Sequence, residues 1–373
     1  MKLIRTILSA IFAFSVASCI YPYEVQESAS SGALVIDGDI LPGTTCSFTT
    51  RRVADLSSTS LIEVPGTISI ESENGKRWTA SSESGSAFHY VNLEDAPLSG
   101  RYRLLFTCSE TGRKYCSEWQ SVSKAPLSAR IFYENDPRNT GIYANVNTIG
   151  GSSYVRTSFS ETWEFVADYM VTGVFDAVEE VVQTLIKADD SNYYCWASAN
   201  PLTVHTGTSE GMSDSRIPNL LITSIPRTDK RLSSLYRINV RITGISREEY
   251  EYLHNTEAIS NTDGGLFTPT PGEIPGNISC LDDPSEKVIG FIGAGNYIEA
   301  EYYIHRNNVY IQPDLMSGLF VPDPAVSLLA YYNAGFRPVV DYNGWLWGPG
   351  RCIDCRLAGG SKTKPDGWPS PNK

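Results

Sequence analysis

The chain has 373 residues, 41% of them hydrophobic, with 42 acidic and 30 basic side chains and a net charge of −12. That balance excludes a nucleic-acid partner, because such binding relies on neutralising phosphates with Lys and Arg, and it suits an anionic lipid surface poorly. The length is too great for one small sandwich and predicts two domains, while 21 Tyr, 30 Gly and 21 Pro against 4 Met suit short strands joined by tight turns.

Residues 1–18 read as a secretory signal. Lys2 and Arg5 give a positive start, Ile7 to Ala17 form a short apolar stretch, and the small Ala17 and Ser18 precede Cys19. The stretch is shorter than the roughly 18–20 residues that a membrane-spanning helix needs. Val16-Ala17-Ser18-Cys19 resembles the bacterial lipobox, so Cys19 is expected to carry diacylglycerol and an amide-linked acyl chain such as palmitate. Two or three such chains, at ~0.8 kcal/mol per buried methylene, hold a protein on a membrane where one would not. Residues 19–31 then form the lipidated Cys and a polar tether.

Strand-like runs follow at close spacing: Ala33–Asp39, Cys46–Val53, Thr67–Glu71, Arg77–Ala80, Ala87–Asn92, Arg101–Thr107 and Lys114–Val122. Alternation is clean in Arg101-Tyr-Arg-Leu-Leu-Phe-Thr107, and Gly, Pro, Asn or Asp separate most runs. The expected fold is all-β: an immunoglobulin-like sandwich over 32–124, then a larger β-rich domain over 125–368 with one short helix. In that second part the candidates are Ala129–Glu134, Ile142–Asn147, Tyr154–Phe159, Thr162–Tyr169, Val178–Ile186, Tyr193–Ala197, Tyr236–Gly244, 296–305 and Asn308–Gln312. A helix is predicted over 247–260, because Ser246 and Glu249 form a capping box and Tyr250 and Leu253 share a face. From Asn333 the chain is rich in Gly, Trp and Pro and reads as ordered loop, with a disordered tail over 369–373. No repeat of fixed period is found.

Disulfides persist outside the cytoplasm. Cys108 and Cys116 flank a turn and could staple a hairpin, while Cys195, Cys280, Cys352 and Cys355 make an even set whose pairings the sequence leaves open. Cys46 is the expected leftover. Cys352-Ile-Asp-Cys355 has the form of a zinc knuckle, but a zinc ribbon pairs two knuckles; structural disulfides are preferred, and no metal or cofactor is expected.

The chain contains no H-E-x-x-H, G-x-S-x-G, P-loop or G-x-G-x-x-G motif. His89, His205, His254 and His305 lack metal-ligand spacing. Glu299 and Glu301 would share one strand face, as a glycosidase pair could, but a solvated face is preferred. Asp263, Asp282 and Asp283 read as turn residues rather than calcium ligands. Trp345 and Trp347, two apart in a Gly-rich loop with Tyr331 and Tyr342 near in sequence, are the candidate surface for a glycan, a peptide or a partner protein. Against that stands a plug of rings closing the end of a sandwich. The Pro- and Gly-rich 265–277 segment is a second candidate.

Several marks, taken in order, resemble one family. They are Leu34-Val-Ile-Asp-Gly38, Glu161-Thr-Trp-Glu-Phe165, Ser246-Arg-Glu-Glu-Tyr-Glu-Tyr-Leu253, the Gly265–Asn277 segment, Asp283-Pro-Ser-Glu-Lys-Val-Ile-Gly-Phe291, Cys352-Ile-Asp-Cys355 and Lys364-Pro-Asp-Gly-Trp368. The chain resembles the lipoproteins of Bacteroidota grouped as domain of unknown function 4249. The family brings no catalytic residues. Its members look like companions of TonB-dependent outer-membrane receptors, which implies a lipid-anchored, non-enzymatic ligand-binding or accessory subunit at the outer membrane, with such a receptor as partner. A surface hydrolase acting through carboxylates and a structural or adhesion protein of the envelope are the alternatives. Ile20-Tyr-Pro-Tyr-Glu24 lacks a dense acidic export run, so the periplasmic and cell-surface faces both stay open.

Overall fold

The computed structural model describes residues 32–53, 62–81, 86–151, 153–260, 275–312, 318–341 and 343–369. The signal, Cys19, the tether and residues 370–373 lie outside them. The protein is all-β, built on two β-sandwiches.

The first sandwich uses β1 (Leu34–Gly38), β2 (Thr45–Arg52), β3 (Ile62–Glu63), β4 (Gly66–Ser72), β5 (Arg77–Thr79), β6 (Phe88–Asn92), β7 (Arg101–Cys108), β8 (Lys114–Ser117) and β9 (Gln120–Ser121). β1, β2 and β6 are neighbours in one sheet; β5, β4, β7 and β8 follow in that order in the other. Alternation along each strand turns Leu34, Ile36, Phe48, Ile68, Leu104 and Phe106 into a common core. At the start of β7 the Tyr102 hydroxyl donates to the Pro97 carbonyl at 2.7 Å, the tyrosine corner found in immunoglobulin-like sandwiches.

The second part runs through β10 (Ser128–Asn135), β11 (Asn139–Asn147), β12 (Tyr154–Val166), β13 (Val171–Asp176), β14 (Val181–Asp189), β15 (Tyr194–Ala199), β16 (His205–Thr208), β17 (Arg216–Pro226) and β18 (Leu235–Ile245). Helix α1 (Arg247–Ser260), β19 (Ile278–Cys280), β20 (Val288–Ile289), β21 (Tyr297–His305), helix α2 (Leu328–Asn333), β22 (Phe336–Asp341) and β23 (Trp345–Pro349) complete it. One sheet reads β10-β11-β17 and the other β15-β12-β18-β21. This repeats the strand order of the first sandwich, with a hairpin, β13–β14, inserted after β12. The second core gathers Ile142, Val146, Ile222, Tyr236, Val240 and Ile242.

The two sandwiches are not consecutive stretches of chain. After β18 and α1 the chain goes back: β19 pairs antiparallel with β8, β20 runs parallel to β1, and Ile278, Cys280, Ile292 and Ala294 enter the first core. Only then does β21 rejoin β18. The expected boundary at residue 124 is therefore corrected, because the first sheet edges are completed by residues far along the chain. At the crossing, Ser123 N–H donates to Ala294 O at 2.9 Å, Asn296 N–H to Ser123 O at 2.9 Å and Gly244 N–H to Asn296 O at 3.0 Å. A Cβ on Gly244 would lie 1.9 Å from the Lys124 carbonyl oxygen, so this approach needs glycine.

Other expectations are revised locally. Tyr154–Phe159 and Thr162–Tyr169 fuse into the single strand β12, since Glu161 is buried and does not mark a break. Val178–Ile186 is strand, shifted to Val181–Asp189. Asn308–Gln312 forms no strand; a short helical turn, Arg306–Asn308, precedes it. A second helix, α2, is capped by the Ser327 hydroxyl, which accepts from Leu329 N–H at 3.1 Å.

The fragment 32–124, lacking the returning strands, should show no cooperative urea transition by circular dichroism, whereas the full chain should. Cooperative unfolding of the fragment would contradict this account.

Candidate functional site

A cleft of about 290 Å³ lies where the sandwiches and α1 meet. Its floor is the outer face of β1 and β2, its walls come from α1 and from Ile289, Gly290 and Phe291, and Arg156 of β12 reaches in from the second sandwich. The Tyr252 ring packs on Phe291 at 5.4 Å.

At the base, the Arg156 guanidinium pairs with Asp39 of the first sandwich and, at 3.3 Å, with Glu249 of α1. Three parts of the fold are thus joined through one cation. Ser246 caps α1 as expected, its hydroxyl accepting from Glu249 N–H at 3.1 Å. The other half of the capping box is replaced: the Glu249 carboxylate turns into the cleft, where a Cβ on Gly293 would lie 1.9 Å from its Oε2. Only 5% of the Glu249 side chain is exposed. Burial pushes its pKa up to about 8 against the opposing pull of Arg156, with Asp39 adding to the rise. Burial raises Asp39 as well, again opposed by Arg156. Two carboxyls facing one guanidinium thus retain a proton between them into the neutral range.

Residues 20–301 match the family model described as Domain of unknown function (DUF4249). The chain belongs to this family. No curated protein matches it. Among solved structures it is similar to a two fibronectin type-III domain segment from chicken tenascin, at 13% identity over 56% of this chain and 88% of that one, with a TM-score of 0.16. It is also similar to a chain from the structure of manganese lipoxygenase of Gaeumannomyces graminis and partial zonadhesin of Komagataella pastoris. There the identity is 8% over 59% of this chain and 91% of that one, with a TM-score of 0.17. For native E. coli alpha-2-macroglobulin the values are 9%, 60% and 14%, with a TM-score of 0.17.

The segments that carried the DUF4249 resemblance gather in two places. Val35–Gly38, Glu249, Tyr252, Leu253 and Ile289–Phe291 line the cleft. At the far end of the second sandwich, Trp368 Nε1 donates to Glu164 Oε2 at 3.1 Å, and Cys355 is bonded to Cys195. Cys352–Cys355 and Lys364–Trp368 lie beyond the matched residues. Beside them is an open groove of about 520 Å³ on Glu161, Trp163 and Arg231. Its charges are mutually satisfied: Arg231 Nη1 reaches both Glu161 oxygens at 2.9 and 3.0 Å, and Tyr236 OH donates to Glu161 Oε2 at 2.7 Å.

Three of the aromatic candidates, Trp347, Trp345 and Tyr331, pack against neighbouring residues. Trp347 is 1% exposed, edge-on to Phe175 at 5.4 Å and 6.4 Å from Tyr331, which withdraws it from any ligand. Trp345 is half-buried, its ring so close to Gly173 that a Cβ there would come within 2.3 Å. Tyr331 OH accepts from Asp323 N–H at 3.3 Å. Tyr342, Asp263 and residues 265–274 lie outside the described residues.

Of the disulfide candidates, Cys195 and Cys355 are joined, while Cys108, Cys116, Cys280 and Cys352 are free thiols. The hairpin staple is corrected by register. Cys116 pairs with the outward Leu105, so it faces away from the core in which Cys108 sits. Cys280 belongs to the first core and Cys352 to the second part of the molecule, which separates the expected set of four. Glu299 and Glu301 lie on an exposed strand face and pair with Arg241 at 2.8 Å and Arg237 at 3.9 Å. Asp283 holds a turn by accepting from Ser285 N–H at 3.1 Å, whereas Asp282 accepts from Lys114 N–H at 2.6 Å and ties its loop to the start of β8. His89 is buried with Nε2 3.2 Å from Thr50 Oγ1.

Sequence reasoning missed Asp39 and Arg156 and misassigned Glu249. In Tyr154-Val-Arg-Thr-Ser-Phe159, Arg156 occupies what alternation marks as an ordinary solvent position.

Glu249 fixes a pH dependence. The folded state keeps this proton up to about pH 8, whereas the unfolded chain loses it near 4.5. The folded state therefore binds more protons across that window, and unfolding free energy falls as pH rises through it. Glu249→Gln cannot ionise, so it should reduce the fall and be the more stable protein at the alkaline end, as measured by urea titrations at each end of the window. An unchanged slope would overturn the assignment. Cys195→Ser should lower stability by about 2–5 kcal/mol, read from the same titrations under non-reducing conditions.

Proposed function

We propose that this DUF4249 protein is an outer-membrane lipoprotein, anchored through Cys19, that serves TonB-dependent uptake as a non-enzymatic ligand-binding or accessory subunit. The observation that carries the binding reading is the cleft, which combines apolar walls with charged groups held on two rigid sandwiches and a helix.

Two measurements test this. Metabolic labelling with an alkyne-bearing palmitate should mark the full chain, and Cys19→Ser should abolish the label and release the protein from the outer membrane. Affinity capture of the lipidated protein from detergent-solubilised outer membranes should co-purify a TonB-dependent receptor. Capture that recovers none would sink the accessory role.

A further inference from the structure

The cleft floor is one face of a two-strand register. Leu34 and Ile36 turn into the first core, so Val35 and Asp37 point outward into the cleft. Val35 stands opposite Arg51 and Asp37 opposite Thr49. Asp37 and Arg51 are consequently diagonal neighbours on the same face, with backbones roughly 7–8 Å apart. Arg156 closes on Asp39 and Glu249 at the base. Among the described residues Asp37 forms no ion pair of its own but acts on the charges of Arg156 and Asp39, and the Arg51 guanidinium lies over the Phe88 ring at 5.7 Å. Above the floor, Tyr252, Leu253, Phe291, Ile289 and Val204 form an apolar wall.

Besides the Arg156 cluster, the cleft face thus carries one carboxylate, Asp37, and one guanidinium, Arg51, beneath an apolar surface, in about 290 Å³. A neutral sugar hydrogen-bonds to both groups through its hydroxyls but presents little apolar surface to the wall. A polyanion would meet Asp37 and Asp39. A small zwitterion with an apolar side chain meets every feature: its carboxylate takes the two-pronged guanidinium of Arg51, its ammonium takes Asp37, and its side chain lies against Tyr252 and Phe291. The geometry points to this cleft as a binding site for a free apolar α-amino acid or a dipeptide. This rests on the ligand-binding reading above and names the chemistry of the ligand.

The test is isothermal titration calorimetry on the lipidated full chain in detergent, with L-phenylalanine and leucyl-leucine as probes. N-acetyl-phenylalanine amide, which lacks both charges, and cellobiose are the controls. Saturable binding of at least one zwitterion is expected, weakened about tenfold or more in Asp37→Asn and in Arg51→Gln. Both substitutions lie on the outer face of the sheet, so an unchanged thermal unfolding midpoint confirms that the variants fold. Failure of both zwitterions to bind would overturn the inference. So would equal binding of the neutral analogue, tight binding of cellobiose, or insensitivity to both substitutions. Receptor capture without zwitterion binding would sink this inference alone; zwitterion binding without receptor capture would sink only the uptake role.

Discussion

The returning segment between α1 and β21 is the constraint on which the rest of the molecule depends. In a simple tandem of sandwiches, the two cores would be complete on either side of the linker at Ser123–Pro126. Here the second sandwich cannot place β21 until the chain has laid β19 and β20 on the edges of the first. Backbone hydrogen bonds from Ile40, Ser123 and Gly244 converge on Gly293–Asn296. Hinge motion at the linker would break several of these at once, so the sandwiches form one body and the cleft between them has a set shape.

The charge network follows from that crossing. Once Gly293 is brought against α1, Glu249 has no space outward and lies beside Arg156. A buried ion pair adds little net stability over apolar packing, but removing the shared cation Arg156 would leave the largely buried Asp39 charge uncompensated at a cost of about 3–5 kcal/mol. Its consequence here is specificity of arrangement. Only one seating of α1 and of both sandwiches lets a single guanidinium serve two carboxyls. Glu249 meets part of this cost by keeping its proton.

Local pattern made much of this legible. Six of the seven strand runs expected before residue 124 are single strands in the structure, and the seventh, Lys114–Val122, is broken into β8 and β9; most of these runs are bounded by turn residues. Helix α1 is legible from Ser246, whose side chain satisfies a free N–H within three residues. Where alternation is interrupted, the reading fails. β17 contains Pro218 and Asn219, the latter at φ 51° beside a register shift, and these disguise a strand as loop. β22 and β23 are hidden in the same way by Pro338 at a bulge and by the surrounding glycines. The duplicated strand order leaves no period in the sequence, since a sandwich needs only alternation, and the insertions fall at different places in each copy.

By itself, then, the sequence determined most strands of the first sandwich, the start of α1, the acidic balance and the expectation of an exported, lipid-anchored chain, all of which depend on neighbours within a few residues. Tertiary structure alone decided which cysteines meet, where the first sandwich ends, and which carboxylates Arg156 faces. Those outcomes rest on contacts between residues more than one hundred positions apart, such as Cys195 with Cys355 and Asp39 with Arg156. No local period encodes them, because strand pairing at a sheet edge is chosen by the path of the whole chain.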